Sequence, residues 1–154
     1  MDVKIETATA KLLDKLFEIE KQSFQKEAFT KQQISYLLTD YNAISLVARV
    51  DGEVAGFVIG RIDVARGTPY GHILTLETRA SCRRMGVAQR MLSDLEALFK
   101  EKGVSESRLE VREDNVAAIA LYQKFGYDRV GKLQRYYGNA HGLYLKKNLI
   151  GQKA

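Results

Sequence analysis

The chain has 154 residues, 45% hydrophobic and 28% charged, which suits one globular domain over 1–154 that can bury a core without staples. Its single cysteine, Cys82, excludes an internal disulfide and a multi-Cys zinc site, and no apolar run reaches the ~20 residues of a membrane span. The net charge of +5 favours phosphate-bearing partners, but acidic and basic residues are interspersed, so no specific nucleic-acid surface, no membrane and no metal are expected.

The opening MDVKIETATAKLL has no basic segment leading into an apolar core, so a cytoplasmic location is expected. Residues 10–23 carry Leu12, Leu13, Leu16, Phe17 and Ile19 among charges, the pattern of an amphipathic helix. Thr30 and Gln33 form a capping-box pair ahead of Ile34, Leu37 and Leu38, which predicts a second helix. The period then shortens. Residues 44–50 and 53–62, joined by Asp51-Gly52, predict a β-hairpin, and 71–78 a further strand. A helix is expected from Gly86 to about Lys102, with Val87, Met91, Leu95, Leu98 and Phe99 on one face and Gly103 as its stop. Residues 107–113 read as a strand. Asn115 is a good N-cap for a helix ending at Phe125-Gly126, and two closing strands follow at 127–133 and 142–149. The expected order is ααβββαβαββ, an α/β (α+β) fold with a mixed sheet flanked by helices.

Two stretches carry chemistry. Arg83-Arg84-Met85-Gly86-Val87-Ala88 links a strand to a helix. A helix start offers unpaired N–H groups and a positive dipole end, small residues admit a phosphate, and two arginines add charge. It lacks the Gly-Lys-Ser/Thr ending of a nucleotide loop and the three-glycine dinucleotide pattern. The second stretch runs from Leu109 to Tyr127. Asn115 and Tyr122 are two helical turns apart on one face, while Glu110 points away from the face carrying Leu109 and Val111.

With these motifs the chain resembles the GNAT superfamily of N-acetyltransferases, and within it RimI and the catalytic subunits of protein N-terminal acetyltransferases. Arg83-x-x-Gly86-x-Ala88 matches the acetyl-CoA loop, with Ala88 where glycine is more frequent. Asn115-x-x-Ala118-Ile119-x-Leu121-Tyr122-x-Lys124-Phe125-Gly126-Tyr127 matches the second signature, and Arg135-Tyr136-Tyr137-Gly138 the paired tyrosines of the peptide-acetylating branch. The resemblance implies acetyl-CoA as cosubstrate. Backbone groups of Leu76, Glu77 and Thr78 would hold its pantetheine arm, and Arg83, Arg84, Met85, Gly86, Val87, Ala88 and Gln89 its pyrophosphate. Asn115 and Lys124 would add side-chain contacts. Tyr122 would protonate the leaving thiolate, Glu110 would be the general base, and His72 would relay the amine proton. Phe24, Glu27, Phe29, Tyr136 and Tyr137 would line the peptide site. Glu27 is a third candidate base, in a segment that lacks the family's usual proline.

The implied reaction moves an acetyl group to the α-amine of protein or peptide N-termini, ribosomal or nascent chains among them, by direct attack in a ternary complex. The amine must be neutral to attack, and an α-amine of pKa ~8 needs less help than a lysine of ~10.4. Cys82 has no base beside it in sequence, and His141 reads as solvated. A lysine or small-amine acceptor, or a binding module without turnover, are the competing expectations.

Overall fold

The computed structural model describes residues 2–23 and 28–150. It contains strands β1 (Val3–Thr7), β2 (Ala43–Val50), β3 (Glu53–Ala65), β4 (Thr68–Thr78), β5 (Glu106–Arg112), β6 (Asp128–Leu133) and β7 (Gly142–Asn148). The helices are α1 (Leu13–Ser23), α2 (Lys31–Thr39), α3 (Val87–Glu101) and α4 (Val116–Lys124). The strands join in the order β1-β2-β3-β4-β5-β7-β6. The β4–β5 pairing is parallel, at Gly71–Ser107 and His72–Arg108, and the pairings of β1 with β2, β2 with β3, β5 with β7 and β6 with β7 are antiparallel, so the sheet is mixed as expected.

The expected order lacks β1, which is a correction. Its five residues pair antiparallel with β2, Val3 opposite Val50, and none of them is buried. An edge strand half-exposed on both faces gives almost no alternation to read. The sequence reading also starts β4 late. The β3–β4 turn is Arg66-Gly67, both at positive φ, and an arginine there gives no turn signal. By contrast Asp51-Gly52 makes the expected tight hairpin, with φ of 50° and 88°.

The chain packs as two compact units, Met1–Arg61 with Ile73–Leu98, and Ile62–His72 with Phe99–Ala154. In the first, Leu16 and Ile19 of α1 and Ile34 and Leu37 of α2 pack with Val47, Phe57 and Ile59 of the strands. Each such fully buried side chain contributes ~1.5–3 kcal/mol relative to exposure. Thr30 accepts from the Gln33 N–H at 3.1 Å while the Gln33 side chain accepts from the Thr30 N–H at 2.8 Å, closing the expected capping box. In the second unit β5 alternates cleanly. Ser107, Leu109 and Val111 are buried, and Tyr127 donates to the Ser107 hydroxyl at 2.8 Å. The opposite face therefore presents Glu106, Arg108, Glu110 and Arg112. Among the described residues no helix is long and apolar enough to cross a membrane.

Candidate active site

The residues expected to hold a pyrophosphate, Arg83 to Gln89, belong to the first unit. Arg84 has φ 64° and Gly86 φ 78°, so the turn before α3 is left-handed twice. Successive N–H groups in such a turn form a concavity for an anion. A Cβ placed on Gly86 would meet nothing within 4 Å, so the space before the turn is open. Val87, 1% exposed, anchors the helix start, and no acidic side chain occupies its first turn. At the end of β4 the buried Thr78 hydroxyl has no partner among the described residues, and Arg83 Nε donates to the Thr78 carbonyl at 3.3 Å. An exposed N–H nest, a space that a Cβ would fill and an orphaned hydroxyl fit a diphosphate with a polar arm.

Beside this strand lies a buried carboxylate pair that the sequence does not announce. Glu20 of α1, 1% exposed, accepts from the Thr75 hydroxyl at 2.7 Å and from the Phe29 N–H at 3.1 Å. Burial raises its pKa above the usual carboxylate range, against these two hydrogen bonds. Glu77, 7% exposed, is pushed up to about 8 by burial and then by the Glu20 charge, while Ser23 and Arg83 oppose the rise. Its Oε2 has no partner among the described residues. Glu20 follows Leu13, Leu16 and Phe17 at seven, four and three residues, so it falls on the apolar stripe of α1. That position was its only signal. Phe29 packs on the core of this unit, and Phe24 and Glu27 lie outside the described residues.

The second unit brings His72 and Glu110 together and adds a residue the sequence reading missed. His72 Nε2 is 2.8 Å from Glu110 Oε1, and His72 Nδ1 is 2.8 Å from Asp63 Oδ2. Burial lowers the histidine pKa, but the hydrogen bonds and charges of Glu110 and Asp63 outweigh it, and the net shift is upward. Asp63 lies one residue past the expected end of its strand, which really continues to Ala65. The two carboxylates sit on opposite edges of the ring, so they do not converge on one ion. Among the described residues no cluster is arranged to hold a metal.

Around this array stand Tyr70, its ring 6.0 Å from that of His72, and Arg108, 4.1 Å above the Tyr70 ring. Arg108 donates to Glu106 at 2.6 Å and to the Tyr144 hydroxyl at 3.1 Å. Tyr136 and Tyr137 pack edge to face at 4.8 Å, and Tyr136 stays 53% exposed. Burial raises the Tyr136 pKa, and the Glu110 charge adds to it. His141 is not merely solvated. Its Nδ1 accepts from the Arg135 N–H at 2.9 Å and its carbonyl from the Glu113 N–H at 3.0 Å, which ties the tyrosine loop to the end of β5. An open hollow of about 390 Å³ on this loop, lined by Glu113, Asp114, Arg135 and Gly138 to His141, holds none of the three array residues.

On α4, Asn115 Oδ1 accepts from the Ala118 N–H at 3.1 Å, so it caps the helix as read, and its amide nitrogen remains a donor. Tyr122 is 7% exposed and meets Tyr127 edge to face at 5.5 Å, while Lys124 is exposed. Cys82 has the Ser81 hydroxyl 3.8 Å away, which is not a base.

Residues 11–127, running through both units, match the acetyltransferase (GNAT) family. The chain belongs to that family. The GNAT chain is 32% identical over 117 residues, 70% of each protein, to an N-alpha-acetyltransferase of Sulfurisphaera tokodaii. It is 32% identical over 114 residues, 73% of this chain and 76% of the relative, to N-alpha-acetyltransferase 30 of Schizosaccharomyces pombe. Its fold matches Ard1 from Thermoplasma volcanium with a TM-score of 0.88 and 27% identity, over 98% of this chain and 100% of the other. This GNAT protein is an acetyl-CoA-dependent N-acetyltransferase, and the mixed α/β fold read from the sequence is the family's.

Proposed function

We propose that the protein acetylates the α-amine of protein or peptide N-termini, by direct attack in a ternary complex, and that residues 1–154 act as one catalytic domain. The observation that carries the reading is Glu110. It bonds a histidine at 2.8 Å on the polar face of β5, and its charge reaches Tyr136 of the paired-tyrosine loop. A proton acceptor beside an exposed aromatic loop suits an extended peptide presenting its amine. The two relatives named N-alpha-acetyltransferases support the same acceptor.

Acetyl-CoA supplies an activated acetyl thioester, and the chain's own groups do the rest. The N–H groups of Arg84 to Ala88, with Arg83 and Gln89 flanking them, hold the diphosphate. Backbone groups of Leu76, Glu77 and Thr78 hold the arm and place donors where negative charge develops on the carbonyl oxygen. Asn115 Nδ2 and Lys124 add polar contacts, and Tyr122 protonates the departing thiolate, whose parent pKa is ~8.5. Glu110, with His72, takes the amine proton. Phe29, Tyr136 and Tyr137 grip the peptide, with Phe24 and Glu27 completing that wall. Cys82 forms no acetyl intermediate, since attack by the amine needs none. The proposal includes a cytoplasmic setting, in keeping with the lone thiol, and ribosomal or nascent chains as acceptors.

Mass spectrometry on a peptide library with varied first residues tests the reading. The expected product carries the acetyl group on the first residue for a subset of sequences. Acetylation of free polyamines or aminoglycosides, with every peptide left unmodified, would overturn it.

A further inference from the structure

We propose that Asp63, His72 and Glu110 form one proton-accepting array, in which Asp63 is a positioning residue that holds Nδ1–H of His72 and so turns Nε2 toward Glu110. The inference rests on the acceptor reading above and adds a residue and a route to it.

The geometry constrains the protonation state. Each ring nitrogen lies 2.8 Å from a carboxylate oxygen. A neutral imidazole has one donor and one acceptor, so it can satisfy only one ionised carboxylate. Two ionised carboxylates at that distance require both nitrogens to donate. With a hydrogen on each of the two contacts, the arrangement is that of the proton-loaded array. It follows that His72 in this state is not a free base waiting for a proton, and Glu110 is the group that meets the amine.

The step balances without any further reagent. The acceptor ammonium gives one proton to Glu110. That proton passes along the Glu110 Oε1–His72 Nε2 hydrogen bond to the ring, while Nδ1–H keeps its bond to Asp63. The products are a neutral amine, ready to attack, and an imidazolium held by two carboxylates. The array returns the proton to solvent after turnover. A lone carboxylate, at ~4.3 in model peptides, is a poor match for an α-ammonium of ~8. A histidine stabilised in its charged form by two carboxylates is a closer match, and a base works best with a pKa near the working pH.

The surroundings leave that balance intact. His72, Asp63 and Glu110 side chains are only 16%, 22% and 21% exposed, so water screens them weakly. The nearby cation Arg108 is committed to Glu106 at 2.6 Å, with Lys146 also 3.4 Å from that carboxylate. Tyr70 on β4 lies 6.0 Å from the His72 ring, Tyr144 on β7 is opposite Glu110 in the sheet register, and Tyr136 on the loop feels the Glu110 charge.

The test compares the wild-type protein with Asp63→Asn in two measurements. The first is nitrogen NMR titration of the histidine rings without any acceptor, which is tractable because His72 and His141 are the only two histidines. The second is the pH profile of kcat/KM with a peptide whose N-terminal α-amine is free. Removing one carboxylate charge should move the His72 titration down by about 1 pH unit. The acid limb of kcat/KM should move down with it, and activity on the plateau should fall. Circular dichroism checks folding, and His72→Gln provides a second variant, in which the acid limb should disappear. Identical His72 titrations in wild type and Asp63→Asn would overturn the proposal, as would an acid limb that stays in place in both variants. The titration arm uses no acceptor, so a wrong acceptor assignment would leave its result standing.

Discussion

Each unit of the chain holds a carboxylate cluster, and the two start from the same ingredients but end in opposite states. Glu20 and Glu77 are both buried, and burial drives both toward the protonated form. Asp63 and Glu110 have an imidazole between them, and their hydrogen bonds and charges raise its pKa against burial, which favours the proton on the ring. A buried carboxyl can hold a loop by accepting from its N–H groups. Glu20 does this, tying the Phe29 N–H to Thr75 of β4. A partly exposed array with a titrating ring can pass protons instead. Under the proposed function, the diphosphate turn and the loop tie fall in the first unit and the proton-accepting array in the second.

This contrast breaks most sharply at Glu110. Glu110→Gln removes the proton acceptor without changing size, and turnover should fall by ~10²–10⁴-fold at saturating acetyl-CoA and peptide. A loss below tenfold would move the role to another group. Tyr122→Phe probes the other proton of the same unit. Turnover should again fall ~10²–10⁴-fold while the Michaelis constant for acetyl-CoA barely moves, because the hydroxyl acts only in the transition state. Wild-type turnover would make Tyr122 plain core, packed on Tyr127.

In the first unit the effect should appear in binding. Gly86→Glu places a negative side chain in the open space before α3, at a φ of 78° that also strains it. Calorimetry should show acetyl-CoA affinity falling more than about tenfold, with the circular dichroism spectrum retained; each tenfold is ~1.4 kcal/mol. Unchanged affinity would remove the diphosphate from this turn.

A smaller effect separates the two clusters by pH. Glu77 titrates at about 8 in the folded protein, above its ordinary 4.5, so between those values the folded state holds a proton that the unfolded chain has lost. Stability from this group is complete below about 4.5 and declines as pH rises to about 8, by at most ~1.4 kcal/mol per pH unit. Gln cannot lose that proton, so Glu77→Gln should flatten the decline by a few degrees of Tm per pH unit. His72, also raised, declines on the same side in both proteins and cancels in the comparison. Parallel Tm curves would show that Glu77 is ionised in the folded state. The smallest effect is expected at Cys82→Ala, which should keep most activity.

Legibility followed the strength of local signals. The capping box, the Asp51-Gly52 turn, the α3 stripe and the Asn115 cap each use a few adjacent residues with one physical solution, and all stand in the structure. β1 and Arg66-Gly67 escaped because an edge strand with no buried residue and a left-handed arginine carry no periodic or turn signal. His72 and Glu110 were legible as candidates only through the family resemblance. Their 2.8 Å contact was not, because it joins residues 38 apart through parallel strands. Asp63 was hidden by a strand read as ending at 62. Glu20 was hidden by composition, since a carboxylate in an amphipathic helix is normally solvated.

The most direct test uses a single peptide that carries one free α-amine and one lysine, incubated with the protein and acetyl-CoA and mapped by fragmentation mass spectrometry. The account predicts acetyl on the α-nitrogen, with the lysine unmodified and no product when the α-amine is blocked beforehand. Acetylation of the lysine at an equal or greater rate, persisting after the α-amine is blocked, would contradict it.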